Sequence, residues 1–522
     1  MGIYLNPKGT DFEEALNSEI YIDKSKLIKY TNKVLRTKQK YICVSRPRRF
    51  GKSMAAEMLT AYYSCGCDSK EMFSRLKIAE AESFEKHLNR YNVIHINMVN
   101  FLSESQDIDE MIGFIEEDLI DELKNEYSDV HYPRRENLIK VIATIFSQTN
   151  IPFIFIIDEW DCIFRVHKSD ENSQTKYLNF LRNLLKDQSY VALAYMTGIL
   201  PIKKYGEHSA INAFYEYSMT GAEPISEFTG FTEDEVKELC EKYNKSFSEM
   251  KRWYDGYNLN GISIYNPKSV VESILRGQFN NYWTSTETYE ALKIYIEMNF
   301  DGLKDTIIEL LAGEKAVIDT TTFSNDMVTF ETRDDVLTLL IHLGYLTYDF
   351  YTKEVSIPNY EISEQFASTI KVMGWSEVAD SLKSSDELLK ATLNCDEEKV
   401  AELIDKAHSD NTSILKYNDE NSLSCVISLA YYSARKTYTI ERELPAGKGY
   451  ADLIFRPRKN NSNPAMIVEL KYDKSAEGAL EQIKKKQYTD CLKDYSGEIL
   501  LVGINYDKEN KSHNCRIEKT VL

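Results

Sequence analysis

The sequence predicts a multidomain α/β protein: an N-terminal sheet with helices on both faces, a helical, winged-helix-like middle, and a C-terminal α/β unit. Three observations carry this. The chain has 522 residues, more than a single hydrophobic core usually organises. Residues 1–200 alternate short apolar runs with amphipathic stretches, the pattern of strands crossed over by helices. Beyond Thr232 the periodicity becomes helical, and a second strand-rich stretch begins near Asn418. These shifts place domains at residues 1–225, 226–383 and 384–522.

In the first domain, strands are expected over residues 41–45, 93–97, 153–158 and 191–197, with helices over 53–63, 108–127, 135–148 and 173–186. Strands this apolar are covered on both faces, which favours a largely parallel sheet. The middle begins with short helices over 234–243 and 248–254. It continues to a helix over 334–343 and two short strands within 346–357 joined near Thr352 and Lys353. Helix followed by hairpin fits a winged helix, and it also fits a small α+β filler. Helices over 384–416 lead to the last unit: helix 423–434, strands 438–443, 451–455 and 466–470, helix 476–488, and strand 499–504.

Bulk composition excludes several classes. Hydrophobic residues make up 43% and charged residues 28%, ordinary values for a water-soluble globular chain. A net charge of −19 argues against a general nucleic-acid coat, while leaving room for a local basic groove. The nine cysteines show no framework spacing. Only Cys65-Gly66-Cys67 is close-set, and no second pair completes a zinc site, so reduced thiols in a cytoplasmic protein are expected. Residues 1–16 are polar and acidic, with no apolar stretch suited to export, so no export signal is expected here. Met1-Gly2 is followed by Asn6 where a myristoylation signal needs Ser or Thr. The longest apolar run, residues 151–157, is far too short to span a bilayer, so no membrane partner is expected.

Two constellations carry chemistry. The strand at 41–45 runs into Arg46-Pro47-Arg48-Arg49-Phe50-Gly51-Lys52-Ser53 and then a helix. This is the setting of a phosphate-binding loop: backbone N–H groups and a helix N-terminus cradle phosphates, Lys52 reaches the outer ones, and Ser53 holds Mg²⁺. Arg46 stands where that loop usually begins with a tight-turn glycine. Residues 154–157 run into Asp158-Glu159, so that Asp158 would organise Mg²⁺ and Glu159 would polarise the attacking water. The reading is an ATP site made by Arg46, Arg49, Phe50, Gly51, Lys52, Ser53 and Met54, with Asp158 opposite. Thr197 at the end of a further strand either senses the outer phosphate or caps its strand. The crowded arginines either touch phosphate, act across a subunit boundary, or are solvated.

The second constellation is Asp452 followed by Glu469-Leu470-Lys471. Residues i and i+2 of a strand share a face, so Glu469 and Lys471 point together, and Asp452 joins them if its strand pairs with theirs. Two carboxylates can hold Mg²⁺, or Mn²⁺, while a lysine orients water, a workable set for cutting a phosphodiester in DNA or RNA. Gln482 on the next helix would face this site. Lys484, Lys485 and Lys486 either track a phosphate backbone or form a solvated helix face.

Together these residues resemble one family of bacterial and archaeal proteins, with an AAA-type ATPase-like domain followed by a PD-(D/E)XK nuclease-superfamily domain. Besides the two constellations, the resemblance rests on Tyr21-Ile22-Asp23-Lys24-Ser25, Thr197-Gly198-Ile199-Leu200-Pro201, Trp253-Tyr254-Asp255-Gly256-Tyr257, Tyr265-Asn266-Pro267, Gly344-Tyr345-Leu346 and Gly447-Lys448-Gly449. It implies a P-loop NTPase sheet at the start and a restriction-endonuclease-like fold at the end, with Arg46 as the family's own form of the loop. It also implies that a helix acid before the nuclease core, best matched by Glu420, joins the metal site. ATPases of this kind often complete their sites between subunits, so a homo-oligomer is among the expected assemblies. The expected function is an ATP-regulated, Mg²⁺-dependent nuclease acting on foreign or mobile nucleic acid. The alternatives are a nucleotide-dependent switch or scaffold whose C-terminal domain recognises a partner, and a plain ATPase motor.

Overall fold

The computed structural model describes residues 2–202, 211–283, 288–298, 300, 302–325, 327–373, 376–411, 420–446, 448–458 and 461–521. The chain divides into two compact units, Met1–Thr286 with Val317–Ile362, and Glu287–Ala316 with Ser363–Leu522.

The first unit is built on five strands: β1 (Tyr41–Ser45), β2 (Asn92–Asn97), β3 (Phe153–Asp158), β4 (Val191–Gly198) and β5 (Tyr215–Tyr217). They lie in the order β2-β3-β4-β1-β5, and every neighbouring pair is parallel. Parallel neighbours require crossover connections, which the helices between the strands supply. β1, β3 and β4 are buried at every position. Ile42, Val44, Ile154, Ile156, Leu193 and Tyr195 belong to one core with Met58, Leu59 and Tyr62 of the helix Lys52–Tyr63. The intervening Cys43, Phe155, Ile157, Ala194 and Met196 are buried on the opposite face. β5, only three residues long with an exposed first tyrosine, is a strand the sequence does not announce.

The middle of the chain is helical. The helix Arg333–Leu343 opens with a reciprocal cap between Thr332 and Asp335 and ends at Gly344. An antiparallel hairpin follows, Thr347–Asp349 against Glu354–Ser356, as the helix-then-hairpin pattern predicts. Gly344 has φ 86°, and a Cβ there would lie 2.8 Å from Pro47 of the loop after β1, so this glycine lets the middle segment close against that loop.

The second unit holds a five-stranded sheet: β6 (Tyr438–Ala446), β7 (Gly449–Pro457), β8 (Ala465–Tyr472), β9 (Glu498–Asp507) and β10 (Ser512–Val521). The strands lie in sequence order, antiparallel except for β8 and β9. That parallel pair is joined across the helix Ala476–Lys486, whose Ala479, Leu480 and Ile483 are buried. β10 is a further strand that the sequence reading leaves out. Among the described residues no helix is long and apolar enough to cross a membrane.

One buried acid ties the loop after β1 to the middle of the chain. Glu361 is 1% exposed. Its carboxylate accepts from the N–H of Tyr282 at 2.6 Å, the N–H of Trp283 at 3.0 Å and the hydroxyl of Ser269 at 2.9 Å. The Tyr282 carbonyl in turn accepts from Arg49 at 2.7 Å. Burial pushes the Glu361 carboxyl up to about 7, with the N–H of Tyr282 opposing. A folded-state value raised from 4.5 means that the folded chain holds this proton more tightly. The stabilising contribution is thus complete below about 4.5 and lost as pH rises through about 7. Glu361→Gln is expected to remove that dependence. Urea denaturation across this range should show the stability of the variant rising relative to wild type by about 1–3 kcal/mol as pH increases.

Candidate functional site

The carboxyl ends of β1, β3 and β4 converge at one edge of the first sheet, where Val44 pairs with Thr197 and Asp158 lies opposite Asn97 of β2. This edge is where ligands bind in open parallel sheets. The loop from Arg46 leads to Gly51, which caps the helix Lys52–Tyr63 with φ 82°. A Cβ at Gly51 would meet nothing within 4 Å, so the glycine answers backbone conformation and not crowding. The other left-handed residue of the loop is Arg49, at φ 69°. Arg46 is not left-handed, which explains why the loop does without glycine there.

The predicted nucleotide-binding residues fall into two groups. Gly51, Lys52, Ser53, Met54, Arg49 and Phe50 line a cleft of about 970 Å³. Lys52 is buried and donates to the carbonyls of Arg46 (3.1 Å) and Pro47 (3.0 Å). Burial lowers its amine below the ordinary lysine value, with Glu159 and then Asp158 opposing. Arg46 does not line the cleft. Its fully buried guanidinium donates to Thr229 Oγ1 (3.0 Å) and to the carbonyls of Ser45 (2.9 Å) and Tyr217 (2.8 Å). The arginine thus clamps the loop to β5 from beneath, and burial lowers it to about 10. Phe50 is buried edge-on to Tyr257, ring centroids 5.1 Å apart.

Asp158, 2% exposed, accepts from the Thr197 hydroxyl and, at 3.0 Å, from the N–H of Glu159. Thr197 therefore engages the acidic pair directly. Glu159 turns back with φ 53°, and its carboxylate forms an ion pair with Arg165. Burial raises the Glu159 carboxyl, opposed by the charge of Lys52 and by that of Arg165. Sequence reasoning missed Arg165 and its anchor Asp161. Asp161 is fully buried, lies 3.2 Å from Arg165 Nε, and accepts from the N–H groups of Ile199 (3.0 Å) and Leu200 (2.8 Å). The available signal was an acid and an arginine four residues apart directly after the acidic pair. Ile20, Tyr21 and Ile22 form an apolar wall of the same cleft, together with Phe231, Val271 and Leu275.

In the second unit, β7 and β8 pair antiparallel, which brings Asp452 beside Glu469 and Lys471. Asp452 Oδ2 accepts from the N–H of Leu470 at 2.7 Å. Lys471 Nζ lies 2.7 Å from Glu469 Oε1, and both residues are buried. Gln482 donates to the same Glu469 oxygen and, at 3.1 Å, to the hydroxyl of Tyr488. A Cβ at Gly449 would stand 3.0 Å from that hydroxyl, so the start of β7 is closed against Tyr488. Burial and then the charge of Asp452 push the Glu469 carboxyl up to about 7. Glu469 Oε2 is buried with no hydrogen-bond partner. Two crowded carboxylates and an orphaned oxygen are what a bound cation would satisfy. Glu420 opens the helix Glu420–Ala430, and its side chain lies outside the described residues. Among the described residues no group of three or more His, Cys, Asp or Glu is placed to hold a metal ion. Lys484, Lys485 and Lys486 are exposed, and Lys484 pairs with Glu518 at 2.5 Å.

The fold and the two clusters define a two-unit α/β protein, with a phosphate-loop sheet in one unit and an acid-and-lysine sheet in the other. The chain carries an AAA-ATPase-like domain followed by a PD-(D/E)XK nuclease-superfamily domain. Residues 9–206 match the family described as "Predicted AAA-ATPase", and residues 418–515 match the PD-(D/E)XK nuclease superfamily. An uncharacterized protein in the vnfD 5' region of Azotobacter chroococcum mcd 1 is 22% identical over 500 residues, 90% of each chain. Similar solved structures include the Aeropyrum pernix ORC2 protein in ADPNP-ADP complexes, at 10% identity and a TM-score of 0.30 over 68% of this chain and 97% of that one. Another is AMPPCP-bound DnaA from Aquifex aeolicus, at 13% identity and a TM-score of 0.25 over 81% and 97%.

The loop geometry sets a test of its own. Gly51→Ala must hold alanine at φ 82°, which is expected to cost about 1–2 kcal/mol. Gly51→Asn should cost less, since asparagine tolerates that conformation better. Chemical denaturation of the two variants beside wild type checks the order.

Proposed function

We propose that this chain binds and hydrolyses ATP in the cleft of the first unit and cleaves phosphodiester bonds of nucleic acid at the Asp452–Glu469–Lys471 cluster. The observation that carries the ATPase reading is the meeting of Lys52, Ser53 and Glu159 in one cleft, beside the buried Asp158. In this reading Lys52 reaches the outer phosphates, and the N-terminus of its helix faces the rest of the phosphate chain. Ser53 and Asp158 hold Mg²⁺. Glu159 orients the attacking water and accepts its proton. The wall of Ile20, Tyr21 and Ile22, with Val271 and Leu275, suits an adenine ring in size and polarity.

At the second cluster Asp452 and Glu469 are the residues that would hold Mg²⁺ or Mn²⁺, with Glu420 as the additional candidate. Such a cation supplies Lewis-acid stabilisation of charge on the phosphate. Lys471, fixed by Glu469 and the Leu470 carbonyl, orients water and steadies the developing negative charge. Gln482 keeps Glu469 turned toward the site through its bonds to that carboxylate and to Tyr488. The net charge of −19 favours capture of nucleic acid at a restricted surface over general coating. It is also the one observation that favours the second reading, a nucleotide-dependent switch that recognises a partner without cutting.

Lys52→Ala is expected to weaken ATP binding. Glu159→Gln should lower ATP turnover by roughly 10²–10⁴-fold without weakening binding; unchanged turnover would remove Glu159 from its role. Cleavage of single- and double-stranded DNA and RNA with Mg²⁺ or Mn²⁺, with and without ATP, tests the other site. Loss of cutting in both Asp452→Ala and Lys471→Ala is expected. An uncut substrate under every condition, with ATP still hydrolysed, would transfer support to the switch.

A further inference from the structure

We infer that Arg165 is a phosphate-sensing arginine supplied by the same chain, which exchanges its ion pair with Glu159 for the terminal phosphate of ATP. The inference rests on the ATPase reading of the cleft. Three observations lead to it. Arg165 lines the cleft together with Lys52, Ser53 and Glu159, and its side chain is 13% exposed. On one side its guanidinium lies 3.2 Å from Asp161 in an ion pair, and Asp161 is fully buried and fixed by the N–H groups of Ile199 and Leu200. Its other partner is Glu159, the carboxylate assigned to the attacking water.

The chemistry follows from that geometry. A carboxylate oxygen taken up by an ion pair is not free to hold and orient a water, and Arg165 occupies Oε2 of Glu159 in this way. Glu159 can act on water only when Arg165 turns elsewhere. The guanidinium is planar with five donors, so it can keep Asp161 while offering its other edge to a new anion. Lys52 and Arg165 line the same cleft, and their like charges oppose each other. A phosphate entering between the two cations relieves this repulsion and competes with Glu159 for the same N–H groups. On the ATPase reading the terminal phosphate of ATP would take that position, and ADP has no phosphate to place there. Binding of ATP thereby frees the acid that hydrolysis needs, and Arg165 stabilises the charge that develops.

Equilibrium binding of ADP and of a non-hydrolysable ATP analogue, read as the ratio of their affinities, tests the exchange. In Glu159→Gln the competing charge is gone, so the analogue should bind about tenfold more tightly while ADP binding stays unchanged. Adding Arg165→Lys should cancel that gain, because lysine keeps the charge but cannot hold Asp161 and phosphate at once. Arg165→Lys alone should lower kcat for ATP by roughly 100-fold or more, with little change in ADP affinity. Arg165→Ala leaves Asp161 and Glu159 facing each other, so it is made in the Glu159→Gln background and compared by thermal melting. If Arg165→Lys leaves both the affinity ratio and kcat at wild-type values, the exchange is overturned while the ATPase reading stands. If wild type binds neither nucleotide, the ATPase reading and this inference both fall.

Discussion

Arg46 is fully buried under the loop that it begins, and the carboxyl end of the first sheet depends on where its guanidinium bonds go. A buried charge is tolerated only with hydrogen-bond partners. Those partners are carbonyls on Ser45 and Tyr217 and the hydroxyl of Thr229. The same interaction therefore holds β5 beside β1 and fixes the segment that continues to Gly230, whose N–H donates to the Phe50 carbonyl at 2.9 Å. Above this clamp Lys52 is held by the Arg46 and Pro47 carbonyls. Lysine could not replace Arg46, since its three donors radiate from one point and cannot reach three separated acceptors in a plane.

Both clusters share one electrostatic plan. In each, burial raises a carboxyl above its ordinary value, and a cation opposes that shift: Lys52 and Arg165 for Glu159, Lys471 for Glu469. Each also has a neighbouring acid that raises the local negative charge, Asp161 and Asp158 in one, Asp452 in the other. In each, a further positive charge would relieve the repulsion among the acids. The two units achieve this with different scaffolds, the convergent ends of parallel strands in the first and adjacent antiparallel strands in the second.

Much of this was legible in the sequence where one residue pattern has one local meaning. The apolar runs before Arg46 and through Asp158 gave buried strands because both of their faces are covered. Glu469-x-Lys471 gave a shared face because strands alternate. Three features were not legible. Arg46 read as part of the ATP site, with phosphate contact, action across a subunit boundary and solvation all open, and only the folded position of Tyr217, far along the chain, shows it to be buried beneath the loop. Arg165 sits in a helix of only five residues with no periodicity to place its side chain. β10 buries His513, Cys515 and Ile517 on alternate positions, a weakly apolar set that does not stand out as a strand until β9 is beside it.

On the proposed function one chain holds two separate phosphate-chemistry sites, each completed by a divalent cation. Counting bound Mn²⁺ by electron paramagnetic resonance, with and without a non-hydrolysable ATP analogue, tests it most directly. Mn²⁺ binding without nucleotide is expected to be lost in Asp452→Ala, and the further binding seen with the analogue is expected to be lost in Lys52→Ala. Mn²⁺ binding unchanged by either substitution would contradict it.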